Sequence, residues 1–401
     1  MIQSYEPFEV IVSDDRSTDN TREVVADASR RDPRIRYTHP ERSKGMRDNF
    51  EHALNEVKPG FVIALGGDDG LLPNGIAGMH ELLRSTDTEL LAWPAPVFVY
   101  PGARGPRGQL VIHRQRGTKT VQSQAFLSRQ AQTLHYLSDV ESPMFYVKGV
   151  ASMVLVDRVR KRSPEGRFYS CPTPDGYSGI VLAGEVSKYT FSGRPFSIFG
   201  LSPSSQGLAY LNNEKSAKES SESFFQDVAG RPMHQELASQ PYSPLIALMT
   251  ADYLLTAQDL PGWGGGRFTI DYRQMLIKSL QELSHGLYGD DRICRELGIL
   301  NQIAERHGLG PFFRDRVRGA RRARIRRPFE GTGVNSRTVL LDAAPYQVHD
   351  ILDAAYAAQT LCNVYAEATP ATAFTALRRS ISYRLAALRR GNRFPPVESW
   401  T

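Results

Sequence analysis

Cysteine is scarce in this sequence: Cys171, Cys294 and Cys362 stand far apart and form neither a metal nor a redox motif. A reduced, cytosolic setting is the default for such a chain. No apolar run reaches the roughly 18 residues that a spanning helix requires. The opening Met1 to Pro7 has neither the basic nor the apolar stretch of a signal peptide. Peripheral contact with the inner face of a membrane is compatible with all of this. No internal repeat is visible. His39, His113 and His135 are scattered, as structural or surface histidines are. Gly262 to Gly266 (GWGGG) has no strand before it and no lysine after it, so it reads as a flexible loop rather than a phosphate cradle.

What is present is an ordinary globular composition, 41% hydrophobic and 23% charged, in a chain of 401 residues that can bury a full core. The formal net charge of +6 is uneven, because much of it lies in Arg314 to Arg327 (RDRVRGARRARIRR). That run admits three readings: a solvated helix face, contact with anionic lipid, or nucleic-acid binding. No aromatic residues interleave the arginines and no recognition motif accompanies them, so no nucleic-acid partner is expected.

The first hundred residues alternate strand and helix signals, the mark of an α/β layered domain. Phe8 to Ser13 is a buried-strand run that ends in Asp14-Asp15, after which Ser17, Thr18 and Asp19 offer caps for a helix over Asn20 to Arg30. Arg34 to Thr38 predicts a second strand, and Lys44 to Val57 carries an apolar helical stripe. Phe61 to Leu65 predicts a third strand, running into Asp68-Asp69. Asn74 is placed to cap a helix ending near Leu83, and Glu89 to Tyr100 reads as one strand in which Trp93 and Phe98 face the core. Pro101 to Thr120 reads as a loop or β-hairpin. Ser202 to Ser223 is polar and marks a boundary, so two units are expected, 1–205 and a mainly helical 206–401. In the second, helices are expected over Ser243 to Gln258, Tyr272 to His285, Arg292 to His307 and Tyr346 to Tyr365.

The two strands that each end in an Asp-Asp pair are the most informative feature. Ligands of open α/β sheets bind beyond the carboxyl ends of the strands, so acids placed there share one crevice. Gathered carboxylates repel one another unless they bond a ligand or hold a cation. Few hard oxygen ligands suit Mg²⁺ or Mn²⁺, with phosphate oxygens completing the shell. The bland alternative is that both pairs are helix caps and turn formers.

Three motifs in order resemble the family 2 glycosyltransferases. Glu9 to Thr21 (EVIVSDDRSTDNT) is similar to the family's EIIVVDDGSTDGT. Gly45 to Leu54 (GMRDNFEHAL) resembles its G-x-x-x-N-x-x-x-A helix, and Leu65 to Pro73 (LGGDDGLLP) its LDADDxLLP segment. The resemblance implies a GT-A fold, a Rossmann-like mixed sheet with flanking helices. It also implies inverting transfer of a sugar from a nucleotide-sugar, most often a UDP-sugar, to a saccharide or lipid-linked acceptor in polysaccharide or glycoconjugate biosynthesis. By the same resemblance Asp15 and Asp14 bond the donor's base, with Ser17 and Asn49 beside them. Asp68 lies by the ribose and diphosphate, and Asp69 with Asp68 holds the metal. Gly66 replaces the first acid of LDADD, which implies fewer protein ligands and weak affinity for free metal.

A general base must take the acceptor's proton. Its candidates are Asp175, then Glu141, then Asp139, with Glu185 a fourth. Asp175 sits in a Pro-Asp-Gly sequence expected to be a tight turn, with Tyr169, Cys171 and Tyr177 nearby to raise its pKa. The same sequence is also a common structural turn. Members of the family open with a strand and helix ahead of the Glu9 strand, and Met1 to Glu6 resembles the end of that helix. The resemblance therefore implies that the central strand is missing, and that residues 1–401 alone have low stability and little activity. Two further readings stand beside the transferase: a non-catalytic nucleotide-sugar binder, and a basic surface-binding protein.

Overall fold

The computed structural model describes residues 3–103, 107–205, 210, 222, 224–228, 230–284, 288–320, 332–334 and 338–367. The chain opens as a β-α-β unit. Strand β1 (Val10–Ser13) pairs in parallel with β2 (Ile35–Thr38), and helix α1 (Thr21–Arg31) connects them. Asp19 accepts the N–H of Thr21 at 3.0 Å, as a residue at a helix start does. Helix α2 (Met46–Asn55) then packs on β1 and buries Arg47, Glu51 and Leu54.

Strand β3 (Phe61–Val62) does not join β1. It is the end strand of a mixed sheet ordered β3-β9-β5-β10-β8, with β5 (Leu90–Ala92), β8 (Thr118–Gln122), β9 (Gly149–Ser152) and β10 (Lys188–Ser192). The strand expected over Phe61 to Leu65 is thus shorter. Beyond Val62 only Ala64 bridges, to Tyr146, where Val147 takes a left-handed φ of 63° and turns the chain. Among the described residues β1 and β3 each keep one edge without a strand partner. α2 spans the interval, because Phe50, Leu54 and Val57 share a core with Val62 and Ala64.

The expected strand over Glu89 to Tyr100 is two strands. Pro94 and Pro96 carry no N–H for a ladder, so β5 ends before them and β6 (Val97–Val99) enters a different sheet. Trp93 and Phe98 are fully buried, as anticipated. That further sheet is ordered β12-β13-β7-β6-β11-β4, with β4 (Gly70–Leu71), β7 (Gln109–His113), β11 (Ser197–Leu201), β12 (Gly333–Val334) and β13 (Thr338–Asp342). The loop or hairpin expected over Pro101 to Thr120 contains β7, which pairs with β6 and β13, and the start of β8, which pairs with β10. Asn74 stands at the start of α3 (Gly75–Thr86) with φ 56° but makes no capping bond. Helices α4 (Ser123–Thr133), α5 (Met153–Arg162) and α6 (Asp175–Ala183) complete this half.

The later residues form α7 (Ile246–Gln258), α8 (Tyr272–Leu283), α9 (Asp290–Arg306), α10 (Gly310–Gly319) and α11 (Ile351–Glu367). α7 lies against α6, β13 extends the sheet through β7, and one apolar cluster runs from Leu54 through Phe145, Leu182 and Leu248 to Phe313. The expected boundary falls mostly on residues outside the described set, as do Arg321 to Arg327 and His285; Arg314 to Arg318 lie on α10. The glycine-rich loop is pinned rather than free. Trp263 is 8% exposed, donates its indole N–H to Val181 O at 2.9 Å, and packs where a Cβ on Gly184 has no room.

Candidate active site

The first acidic turn is held from both sides. Asp14 is buried; its Oδ1 accepts the N–H of Ser17 at 2.9 Å and its Oδ2 the hydroxyl of Tyr37 at 2.6 Å. Burial pushes its pKa up, but the hydrogen bonds from Ser17 and Tyr37 outweigh that and hold it below the usual carboxylate range. Ser17 itself is exposed. Asp15 reaches the start of α2. Its Oδ1 accepts the N–H of Lys44 at 2.8 Å, and its Oδ2 accepts the Gly45 N–H and the Ser43 hydroxyl, each at 2.9 Å. Gly45 has φ 78°, a conformation that L residues rarely take, so glycine is required for this clasp. One turn on, Asn49 accepts the Ser13 hydroxyl at 2.7 Å and donates to Ser13 O at 3.1 Å. Asp15 and Asn49 therefore fix the end of β1 to one face of α2.

The second acidic turn is built against β11. Asp69 Oδ2 accepts the N–H of Gly66 at 2.7 Å, its Oδ1 that of Gly200 at 2.9 Å, and Tyr146 donates its hydroxyl to the same carboxyl. Burial raises the Asp69 pKa to about 6; the Gly200 and Gly66 amides pull it back, and neighbouring Asp68 pushes it up again. Asp68 Oδ2 accepts the hydroxyl of Ser205 at 2.7 Å and the N–H of Ser202 at 3.4 Å.

The two turns are joined through α2. Phe50, next to Asn49, sets its ring edge-on to Tyr146 with centroids 5.8 Å apart, and Tyr146 bonds Asp69. Asp15, Asn49, Tyr146 and Asp69 thus lie along one short path of contacts, although the chain separates them widely.

The candidate bases divide sharply. Asp175 is the first residue of α6, not part of an isolated turn. Its Oδ2 accepts the Tyr136 hydroxyl at 2.9 Å, and its buried Oδ1 has no partner. Burial holds its pKa above the usual range, and its charge is felt at the Tyr146 hydroxyl beside Asp69. Glu141 is instead held by two cations, Arg129 at 2.6 Å and Lys119. Asp139 accepts from Arg129 at 3.0 Å and from Gln130 at 3.1 Å, and Glu185 pairs with Arg162 at 2.8 Å. Of the four, Asp175 alone keeps a buried carboxylate oxygen with no hydrogen-bond partner among the described residues.

Several contributors had no signal in the sequence. Tyr146 and Tyr136 belong to no motif, and Ser202 and Ser205 lie in a stretch read as a boundary. In the first turn of α2, three guanidinium groups converge on Asp48: Arg47 at 2.9 Å, Arg167 at 2.8 Å and Arg231 at 3.0 Å. Burial raises the Asp48 pKa, but hydrogen bonds from Arg231 and Arg47 and their charge carry it down to about 2. Among the described residues no three His, Cys, Asp or Glu side chains gather as a metal cage. Asp68 and Asp69 still offer two adjacent hard carboxylates, a donor set that fits a cation sharing its shell with phosphate oxygens.

The comparisons follow these motifs. Residues 2–133 match the family described as "Glycosyl transferase family 2". The chain is 36% identical over 80 residues to the GalNAc(5)-diNAcBac-PP-undecaprenol beta-1,3-glucosyltransferase of Campylobacter jejuni, a stretch covering 20% of this chain and 26% of that protein. It is 26% identical over 89 residues to glycosyltransferase GlyG of Streptococcus pneumoniae, covering 22% and 30% of the two chains. The matched stretch thus spans under a third of either relative. Among solved structures, S. aureus TarS 1-349 in complex with UDP aligns over 78% of this chain and 85% of its own, at 15% identity and a TM-score of 0.40. The three motifs and the mixed α/β architecture that carries them coincide with the stretch, residues 2–133, that matches the glycosyl transferase family 2 model.

Proposed function

We propose that the protein transfers a sugar from a nucleoside-diphosphate sugar, a UDP-sugar first among them, to an acceptor hydroxyl with inversion. The observation that carries this reading is the joining of the two acidic turns through α2 and Tyr146. Asp15 and Asn49 stand at the donor's base, with Asp14 and Ser17 bracing the turn. Asp68 and Asp69 would hold Mg²⁺ or Mn²⁺ against the diphosphate. The cation, when bound, stabilises negative charge on the leaving phosphate as a Lewis acid. The acceptor oxygen forms its bond to the anomeric carbon on the face opposite the leaving group. The bond from that carbon to the diphosphate oxygen breaks, and the electron pair departs with the nucleoside diphosphate. The acceptor's proton passes to the free Oδ1 of Asp175.

A saccharide on a lipid carrier is the acceptor class this reading favours, because one relative is named for an undecaprenol-linked substrate. The arginines of α10 then suit work at the cytoplasmic membrane face, although no helix among the described residues is long and apolar enough to cross a membrane. A second reading, nucleotide-sugar binding without transfer, is favoured by one observation: backbone amides already occupy both oxygens of Asp69. Incubation with UDP-glucose or UDP-GlcNAc, Mn²⁺ and a saccharide acceptor panel separates the two. Transfer abolished by Asp175→Asn supports the enzyme, whereas donor binding without release of UDP under any condition supports the binder.

A further inference from the structure

We infer that Tyr136, anchored by α7, and Tyr253 on α7 are positioning residues that hold the proposed base Asp175 with its Oδ1 free. The inference rests on the reading of Asp175 as the proton acceptor and adds a function for residues outside the stretch 2–133 that matches family 2.

The geometry starts at α6. Gly176, directly after Asp175, has no room for a side chain: a Cβ there would stand 2.5 Å from ring carbons of both Tyr136 and Tyr253. Ring carbons of both tyrosines therefore abut the helix start, and the two rings meet with centroids 5.4 Å apart at 74°. Tyr136 donates to Asp175 Oδ2. Tyr253, on α7, bonds the hydroxyl of Thr173, and Thr173 in turn bonds the Asp175 carboxyl. α7 also anchors Tyr136 itself, because Thr250 Oγ1 accepts the Tyr136 N–H at 3.2 Å. The titratable groups facing the carboxylate are Tyr136, Tyr253, Tyr242 and, toward Asp69, Tyr146. None of them carries a positive charge, so hydroxyl dipoles are the means by which these groups orient an ionised Asp175.

A carboxylate held by one oxygen cannot rotate without losing that bond, so its other oxygen presents a fixed lone pair. Removing the Tyr136 hydroxyl loosens that hold, leaving the Thr173 hydroxyl and the Gly176 amide as the remaining donors to the carboxyl. It also withdraws a donor that favours the ionised form, so the Asp175 pKa rises further.

The test compares wild type, Tyr136→Phe, Tyr253→Phe and Asp175→Asn in two measurements. The first is UDP release from UDP-glucose and UDP-GlcNAc with Mn²⁺ across pH. Tyr136→Phe should lower kcat about tenfold to a hundredfold, leave donor KM unchanged and move the acid limb of kcat to higher pH, with a smaller shift for Tyr253→Phe. The second is thermal stability against pH, which needs no acceptor. A carboxylate with a raised folded pKa loses stability as pH rises from its unfolded value through its folded one. Tyr136→Phe should carry that loss to higher pH, and Asp175→Asn should remove it. If Asp175→Asn abolishes turnover while Tyr136→Phe leaves both pH profiles in place, the positioning role is wrong and the base stands. If Asp175→Asn turns over normally, the base itself is wrong, and the positioning falls with it.

Discussion

Asp69 accepts the backbone N–H of Gly200 at 2.9 Å, a bond across 131 residues that seats the second acidic turn on β11. The approach depends on glycine. A Cβ at position 200 would lie 1.8 Å from the carbonyl oxygen of Asp68, a contact no side-chain motion can relieve.

Gly200→Ala should therefore push the Asp68–Asp69 turn off its strand. A loss of about 2–3 kcal/mol in unfolding free energy is expected, with weaker binding of UDP and Mn²⁺ together. Denaturant unfolding and calorimetric titration of the one variant report both.

The ionisation of Asp69 gives opposite pH signs for stability and for binding. Its pKa is raised to about 6, so folding favours the protonated form, and stability falls as pH climbs from the unfolded value of 3.8 through about 6. Asp69→Asn removes that pH dependence but sets an NH2 group against the Gly66 or Gly200 amide, so it should destabilise the unliganded protein by about 1–3 kcal/mol. Mn²⁺-dependent nucleotide binding should instead weaken as pH drops below about 6, roughly tenfold per unit. Melting temperatures and titrations between pH 5 and pH 8, roughly the range over which a shifted carboxylate is read, check both halves.

Glu51 is a structural counterpart. It is buried, its Oε2 accepts the N–H groups of Phe168 and Tyr169, each at 3.0 Å, and its Oε1 pairs with Arg160 at 3.1 Å. Glu51→Ala leaves two buried amides and a guanidinium without their partner, and should cost about 3–5 kcal/mol of stability. Chemical denaturation measures it.

Much of this site was legible because its chemistry is local. Asp14-Asp15 follows β1 and Asp68-Asp69 follows the apolar run from Phe61 to Leu65, and the spacing of Gly45 and Asn49 puts both on the β1 side of α2. Strand lengths were less legible, since Pro94, Pro96 and the left-handed Val147 divide or end strands that hydrophobicity alone would continue. Tyr146, Tyr136 and Gly200 were invisible for a different reason. Each acts through a contact made by the fold, and a tyrosine or glycine outside a motif carries no mark of its distant partner. Asp175 was read as a turn residue; that its Pro-Asp-Gly begins a helix follows from the apolar residues of α6 packing on α7.

The central claim is that the two acidic turns serve one nucleotide and one cation. Calorimetric titration of UDP in the presence and absence of Mn²⁺, on wild type, Asp15→Ala and Asp69→Ala, tests it most directly. Wild type should bind UDP more tightly with Mn²⁺, Asp69→Ala should lose the metal dependence, and Asp15→Ala should lose affinity with or without metal. UDP binding that is unaltered in both variants would contradict the account.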